Sequence, residues 1–109
     1  VCKMKVILEE ISKGRQNVFV QKIIQGTNNL IRLDLNSDSY DFQCYSKIYI
    51  FDKTTNKWNV LYNNCNHLIP SKLAYSISTN QSPEILLPQF SNEIRHLRKI
   101  ASQLLNDKF

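Results

Sequence analysis

Few residues in this chain have the types and spacing that chemistry requires. Cys65 and His67 stand two apart in NNCNHL. A thiol beside an imidazole can form a thiolate–imidazolium nucleophile or contribute to a metal site. A zinc site needs about four ligands, however, and three Cys and two His scattered along 109 residues do not supply an obvious set. The preferred reading of the pair is a half-buried Cys in a loop that follows a strand. His96 stands among Arg95, Arg98 and Lys99. It suits a general acid or base in a ribonuclease, with the cations steadying a phosphate. The plainer reading is a solvated helix face. Glu9 and Glu10 read as helix surface, and Asp34, Asp38 and Asp41 lie in or beside turns. Gly14 and Gly26 are the only glycines, which rules out the Gly-rich phosphate loops. No catalytic residue, metal or cofactor is therefore assigned.

The strongest functional pattern is CYSKIYIFDKTTNKWNVLY, residues 44–62, which holds three Tyr, one Phe and the only Trp, with three Lys among them. Tyr45, Lys47 and Tyr49 alternate. On a strand they share a face, and Lys22 or Arg32 can join them from neighbouring strands. Aromatic residues interleaved with cations on an open sheet stack bases and neutralise phosphates. Tyr is equally favoured in protein interfaces, where it combines apolar area with a polar handle.

The elements that must position these residues follow from periodicity. Lys3–Gly14 has apolar residues at 4, 7, 8 and 11, which is helix spacing, with Gly14 as a C-cap. A short strand over MKVIL is the weighed alternative. Asn17–Gln25 is rich in β-branched residues and reads as a strand. Leu30–Asn36 alternates, with Ile31, Leu33 and Leu35 on one face and Arg32 and Asp34 on the other. A third strand is expected from about Tyr40 to Phe51 and a fourth from Lys57 to Tyr62. The odd connection 52–56 places Ile48 opposite Val60 and Ile50 opposite Trp58. Phe42, Cys44, Ile48, Ile50, Trp58, Val60 and Tyr62 then form an apolar face. Tyr45, Lys47, Tyr49, Lys57 and Asn59 form the reverse one. A slip of one residue would pair Tyr49 with Val60 and Phe51 with Trp58 and mix the two sets.

After the sheet, Pro70 suits the first turn of a short helix carrying Leu73, Ala74 and Ile77. NQSPEILLPQF reads as an irregular connector whose Ile85, Leu86 and Leu87 tuck against the core. SNEIRHLRKIASQLLNDKF is the clearest helix. Ser91 is its expected cap, and Glu93 complements the positive end of the dipole. Its stripe is Ile94, Leu97, Ala101 and Leu104, widened by Ile100 and Leu105. The predicted fold is a single α+β domain over 1–109. It has an N-terminal helix, a four-stranded antiparallel meander, a short helix and a long C-terminal helix packed on one face.

Composition sets the outer limits. At 42% hydrophobic residues a core forms without disulfide or metal support. The odd Cys count favours a reducing compartment. No run approaches the roughly 18 apolar residues of a membrane span, and the opening residues lack the apolar region and cleavage site of a signal peptide. The cytoplasm is the expected location, with no membrane partner. A net charge of +5 permits nucleic acid without requiring it. KIYIFDKTTNKWNVL resembles the strand pair of a kelch propeller blade, but a propeller needs repeats and none occurs.

Three classes remain. The first is a small non-enzymatic protein of inhibitor, adaptor or immunity type, such as a phage or mobile element encodes, that binds a partner protein. The second is a nucleic-acid module that uses Tyr45, Lys47 and Tyr49 with the basic face of Arg95, Arg98 and Lys99. The third is a small basic ribonuclease-like toxin. The first ranks highest. A homodimer through Leu104, Leu105 and Phe109 is a further option.

Overall fold

The computed structural model describes residues 4–39, 43–79 and 81–109, and only the backbone of 65–68. Five strands, β1 (Lys5–Lys13), β2 (Asn17–Gln25), β3 (Leu30–Asp38), β4 (Gln43–Asp52) and β5 (Lys57–Leu68), are followed by α1 (Ser71–Ser78) and α2 (Pro83–Leu86). A 3-10 turn over Leu87–Phe90 then leads directly into α3 (Ser91–Leu105). The sheet is an antiparallel meander in the order β1-β2-β3-β4-β5. The α+β class and the long C-terminal helix are as the periodicity predicts. Among the described residues no helix is long and apolar enough to cross a membrane.

The first correction concerns the N-terminus, where the predicted helix is strand β1, paired with β2 from Lys5↔Gln25 to Lys13↔Val18. A register shift between Val6 and Leu8 hides this strand from periodicity. The extra residue, Ile7, reverses the alternation. Val6 and Ile11 therefore lie opposite inward-facing Ile24 and Val20, while Leu8 lies opposite Ile23 on the other face. The result is apolar residues at helix-like intervals along an extended chain.

β2 and β3 carry no such interruption. Val18, Val20 and Ile24 of β2 and Ile31, Leu33 and Leu35 of β3 are buried, with Cys44 and Ile48 of β4 beside them. The same cluster holds Leu73, Ala74 and Ile77 of α1, Leu86 of α2, Phe90, and Ile94, Leu97 and Ala101 of α3. All helices thus pack on one face. Burying each large side chain fully contributes about 1.5–3 kcal/mol. The predicted irregular connector is helical in two short pieces. Its Leu86 is buried, Leu87 is half-buried and Ile85 is exposed. Ser91 does not cap α3. The 3-10 turn continues into the helix, Phe90 occupies the cap position, and no side-chain cap bond forms.

The C-terminus is tied back to the sheet. Asn106 adopts a left-handed conformation, φ 50°, that ends α3. Asp107 then meets the β2–β3 turn, and Phe109 packs over Gly26. A Cβ on Gly26 would lie 2.7 Å from the Phe109 ring and 2.9 Å from the Lys108 carbonyl, so only glycine permits this approach. Arg98 Nε donates to the Phe109 carbonyl at 2.5 Å.

Candidate binding face

The second correction concerns the β4–β5 hairpin. Asp52 pairs with Lys57, Phe51 with Trp58 and Tyr49 with Val60. Trp58 and Val60 therefore share a face with Tyr49 and Phe51, whereas Asn59 lies opposite Ile50 on the helix-covered side. A bulge at Leu61 then returns Tyr62 to the covered side, opposite Ile48. β5 also continues to Leu68, beyond its predicted end at Tyr62. Lys57 and Asn59 leave the mixed face, and Trp58 and Val60 join it. Tyr40 and Phe42 lie outside the described residues.

Tyr45, Lys47 and Tyr49 nevertheless point away from the helices, because β4 alternates between buried Cys44, Ser46 and Ile48 and the opposite side. Arg32 joins them, directly opposite Tyr49. Its guanidinium lies 4.0 Å from the Tyr49 ring centroid and 5.3 Å from that of Trp58. Its Nε contacts Asp34 Oδ1 at 3.2 Å. Trp58 meets Phe51 edge-on at 5.2 Å. Tyr45, 42% exposed, donates its hydroxyl to Gln43 Oε1, and Val60 is 57% exposed. A row Leu8, Ile23, Arg32, Tyr49, Val60 crosses all five strands, flanked by the polar row Glu10, Gln21, Asp34, Lys47, Asn63. The face is thus a pinned aromatic platform in which the Arg32 stack fixes two rings.

Lys22 does not join it. It lies on the helix side, 2.9 Å from Glu9 Oε2. The basic residues of α3 also divide. Arg95 and Arg98 line a cleft with Lys22 and Glu9 over β1–β2, while His96 faces a cleft over β3–β5. Lys99 is exposed and lines neither of these clefts. The structure therefore does not gather Arg95, Arg98 and Lys99 with the Tyr45 face into one surface. Of Leu104, Leu105 and Phe109, only Leu104 stands out in solvent. Leu105 is half-buried and Phe109 is buried. The side chains of Cys65 and His67 lie outside the described residues.

One residue escaped the sequence reading in its present role. Glu93 borders the second cleft with His96, Asn92, Ser46 and Asn64, and its Oε2 is buried with no hydrogen-bond partner among the described residues. A carboxylate three residues before a histidine on a helix was the available signal. Burial pushes the nearby Cys44 thiol up, the adjacent Ser37 hydroxyl opposes this, and the negative Glu93 adds to it. Among the described residues no group of three or more His, Cys, Asp or Glu side chains is placed to hold a metal ion.

No protein-family model, no curated protein and no solved structure matches this chain.

Proposed function

We propose that this chain is a small non-enzymatic binding protein, of inhibitor, adaptor or immunity type, that recognises a partner protein through Tyr45, Lys47, Tyr49 and the sheet face around them. The observation that carries this reading is the charge balance of an aromatic face. Lys5, Arg32 and Lys47 share it with Glu10, Asp34 and Asp38, so its formal charge cancels while the chain as a whole carries +5. A phosphate backbone favours uncompensated cations, whereas a mixed-charge, aromatic-rich patch suits a protein surface. The area also fits. Five strands about 4.8 Å apart and nine residues long span roughly 700 Å², close to the ~800 Å² that each partner contributes to a standard interface.

Nucleic acid bound to the same face and the basic helix is the alternative. It has less support, because Arg98 is engaged with the Phe109 carbonyl and the adjacent Lys22 with Glu9. The test compares the unaltered protein with Tyr45→Ala/Tyr49→Ala as bait in nuclease-treated lysate. The reading expects a protein partner on the parent that is lost from the variant, while the variant still unfolds cooperatively. Capture that nuclease abolishes would transfer the function to nucleic acid. Equal capture by both baits would remove the face from recognition.

A further inference from the structure

The helix side of the sheet carries a second feature, remote from the open face. Between α3 and strands β3–β5 lies a cleft of about 330 Å³, at the small end of the roughly 300–1,000 Å³ of ligand pockets. Leu35 and Leu97 form apolar walls, and Ser46, Asn64 and Asn92 supply neutral oxygens. His96 borders it; among the described residues no Lys or Arg lines it, and the guanidinium in contact with its wall, that of Arg95, donates to Asn92 Oδ1 at 3.4 Å. Glu93 reaches into it from the first turn of α3 with its Oε2 out of water and without a hydrogen-bond partner among the described residues. Buried carboxylate oxygens are normally paired, because an unpaired one forfeits its hydration without compensation. The unmatched oxygen is therefore an open acceptor in the cleft, and a cationic N–H donor is the partner that compensates a carboxylate most fully.

We propose that this cleft binds a guanidinium group, seated on Glu93 Oε2 with its flanking N–H groups directed at the Ser46 hydroxyl and the Asn64 amide oxygen. A guanidinium presents five donors in one plane, which suits several acceptors around a single carboxylate. The two leucines flank the apolar stem that carries it. An ammonium is a compact point charge that matches this spread of acceptors less well. A metal ion is a poorer fit because no third acidic, His or Cys ligand is grouped there among the described residues. The guanidinium has two sources, a free small molecule or the arginine side chain of another protein.

Amide chemical shifts of the isotope-labelled full chain test this with three probes: N-butylguanidine, N-acetyl-arginine N-methylamide, and N-butylurea as the neutral isostere. The expected result is saturable shifts at Ser46, Asn64, Asn92, Glu93 and His96 with N-butylguanidine. The urea should bind at least tenfold more weakly, and Glu93→Gln should weaken guanidine binding by a similar factor. Tighter binding of the blocked arginine would identify a protein side chain as the natural occupant, and tighter binding of N-butylguanidine a free ligand. Equal affinity for guanidine and urea, shifts confined to other residues, or no saturable shift at millimolar concentration would each overturn the proposal. Should Glu93→Gln fail to fold, the guanidine–urea comparison on the unaltered protein decides alone. Because the cleft and the open face lie on opposite sides of the sheet, either site can fail without the other.

Discussion

Asp107 joins the two ends of the fold through one carboxylate. Its oxygens accept from the backbone N–H groups of Thr27 at 2.8 Å, Asn28 at 2.9 Å and Asn29 at 3.0 Å. The Asn29 side chain at 3.0 Å and the Lys108 N–H at 2.7 Å complete the set. Burial disfavours the charge, but the N–H groups of Asn28, Lys108 and Thr27 and the Asn29 amide outweigh it and hold the carboxyl well below the usual range. Asp107→Asn keeps the shape but turns an amide NH2 toward donors, which leaves N–H groups unmatched. It should destabilise by about 1–3 kcal/mol, read as a lower urea midpoint at neutral pH. The sign of the pH effect follows from the direction of the shift. The depressed folded pKa gives stability that is fully present above the unfolded value of about 4. That stability is lost as pH falls toward the folded value. The gap between parent and variant should therefore be widest near neutrality and narrow from about pH 5 downward. A gap that stays constant over that range would show that the carboxylate's charge contributes nothing to the latch.

At the scale of elements, the β4–β5 hairpin shows what fixes strand parity. Asp52 Oδ1 accepts from the Thr54 N–H at 2.9 Å, and the Asp52 carbonyl from the Asn56 N–H at 2.7 Å. Asn56 closes the four-residue connection with φ 62°, a conformation that Asn tolerates and β-branched residues do not. Asn56→Val should lower stability by about 1–2 kcal/mol, whereas Asn56→Gly should stay within about 0.5 kcal/mol of the parent. Thermal unfolding of both variants checks this, and equal losses would show that the turn does not depend on backbone handedness. The same hairpin marks where periodicity stopped being informative. Strands β2 and β3 alternate without a break, so Ile31, Leu33 and Leu35 were legible as one inward face. Ile94, Leu97 and Ala101 of the α3 stripe were legible for the same reason, as were the outward Tyr45, Lys47 and Tyr49, but Leu104, expected in that stripe, is exposed because the last turn of the helix runs past the sheet-facing core. In β1 and β5 an inserted residue, Ile7 or Leu61, moves every following side chain to the other face without altering composition. Trp58 faces the open side for another reason: the connection is four residues long, with Asp52 opposite Lys57, where the spacing predicts five. Glu93 was missed for a different reason. Its surroundings come from β4 and β5, remote in sequence, and no local pattern encodes them.

For the molecule as a whole, the decisive quantity is where the positive charge resides. Among the described residues the helices cover one side of the sheet, and the extents of 42 × 26 × 23 Å describe a two-layer slab whose other face they leave open. The cations on that face are equalled in number by carboxylates, and Arg32 is held between Asp34 and two rings. The excess sits elsewhere, on exposed residues such as Arg15, Lys53, Lys72, Arg95 and Lys99. Long-range attraction therefore contributes little to association through the open face, and apolar contact with its aromatic rows contributes more. This yields a quantitative expectation. Once the partner is isolated, its affinity should change by less than about tenfold between roughly 50 and 200 mM salt, and association should show a negative heat-capacity change. Binding through six to ten phosphates would instead lose about 10³–10⁵ in affinity over that interval. Calorimetry across the salt series separates the two. A steep log–log slope would mean that recognition runs through the exposed cations of the helix side and loops, and that the platform around Arg32 serves only to stiffen the sheet.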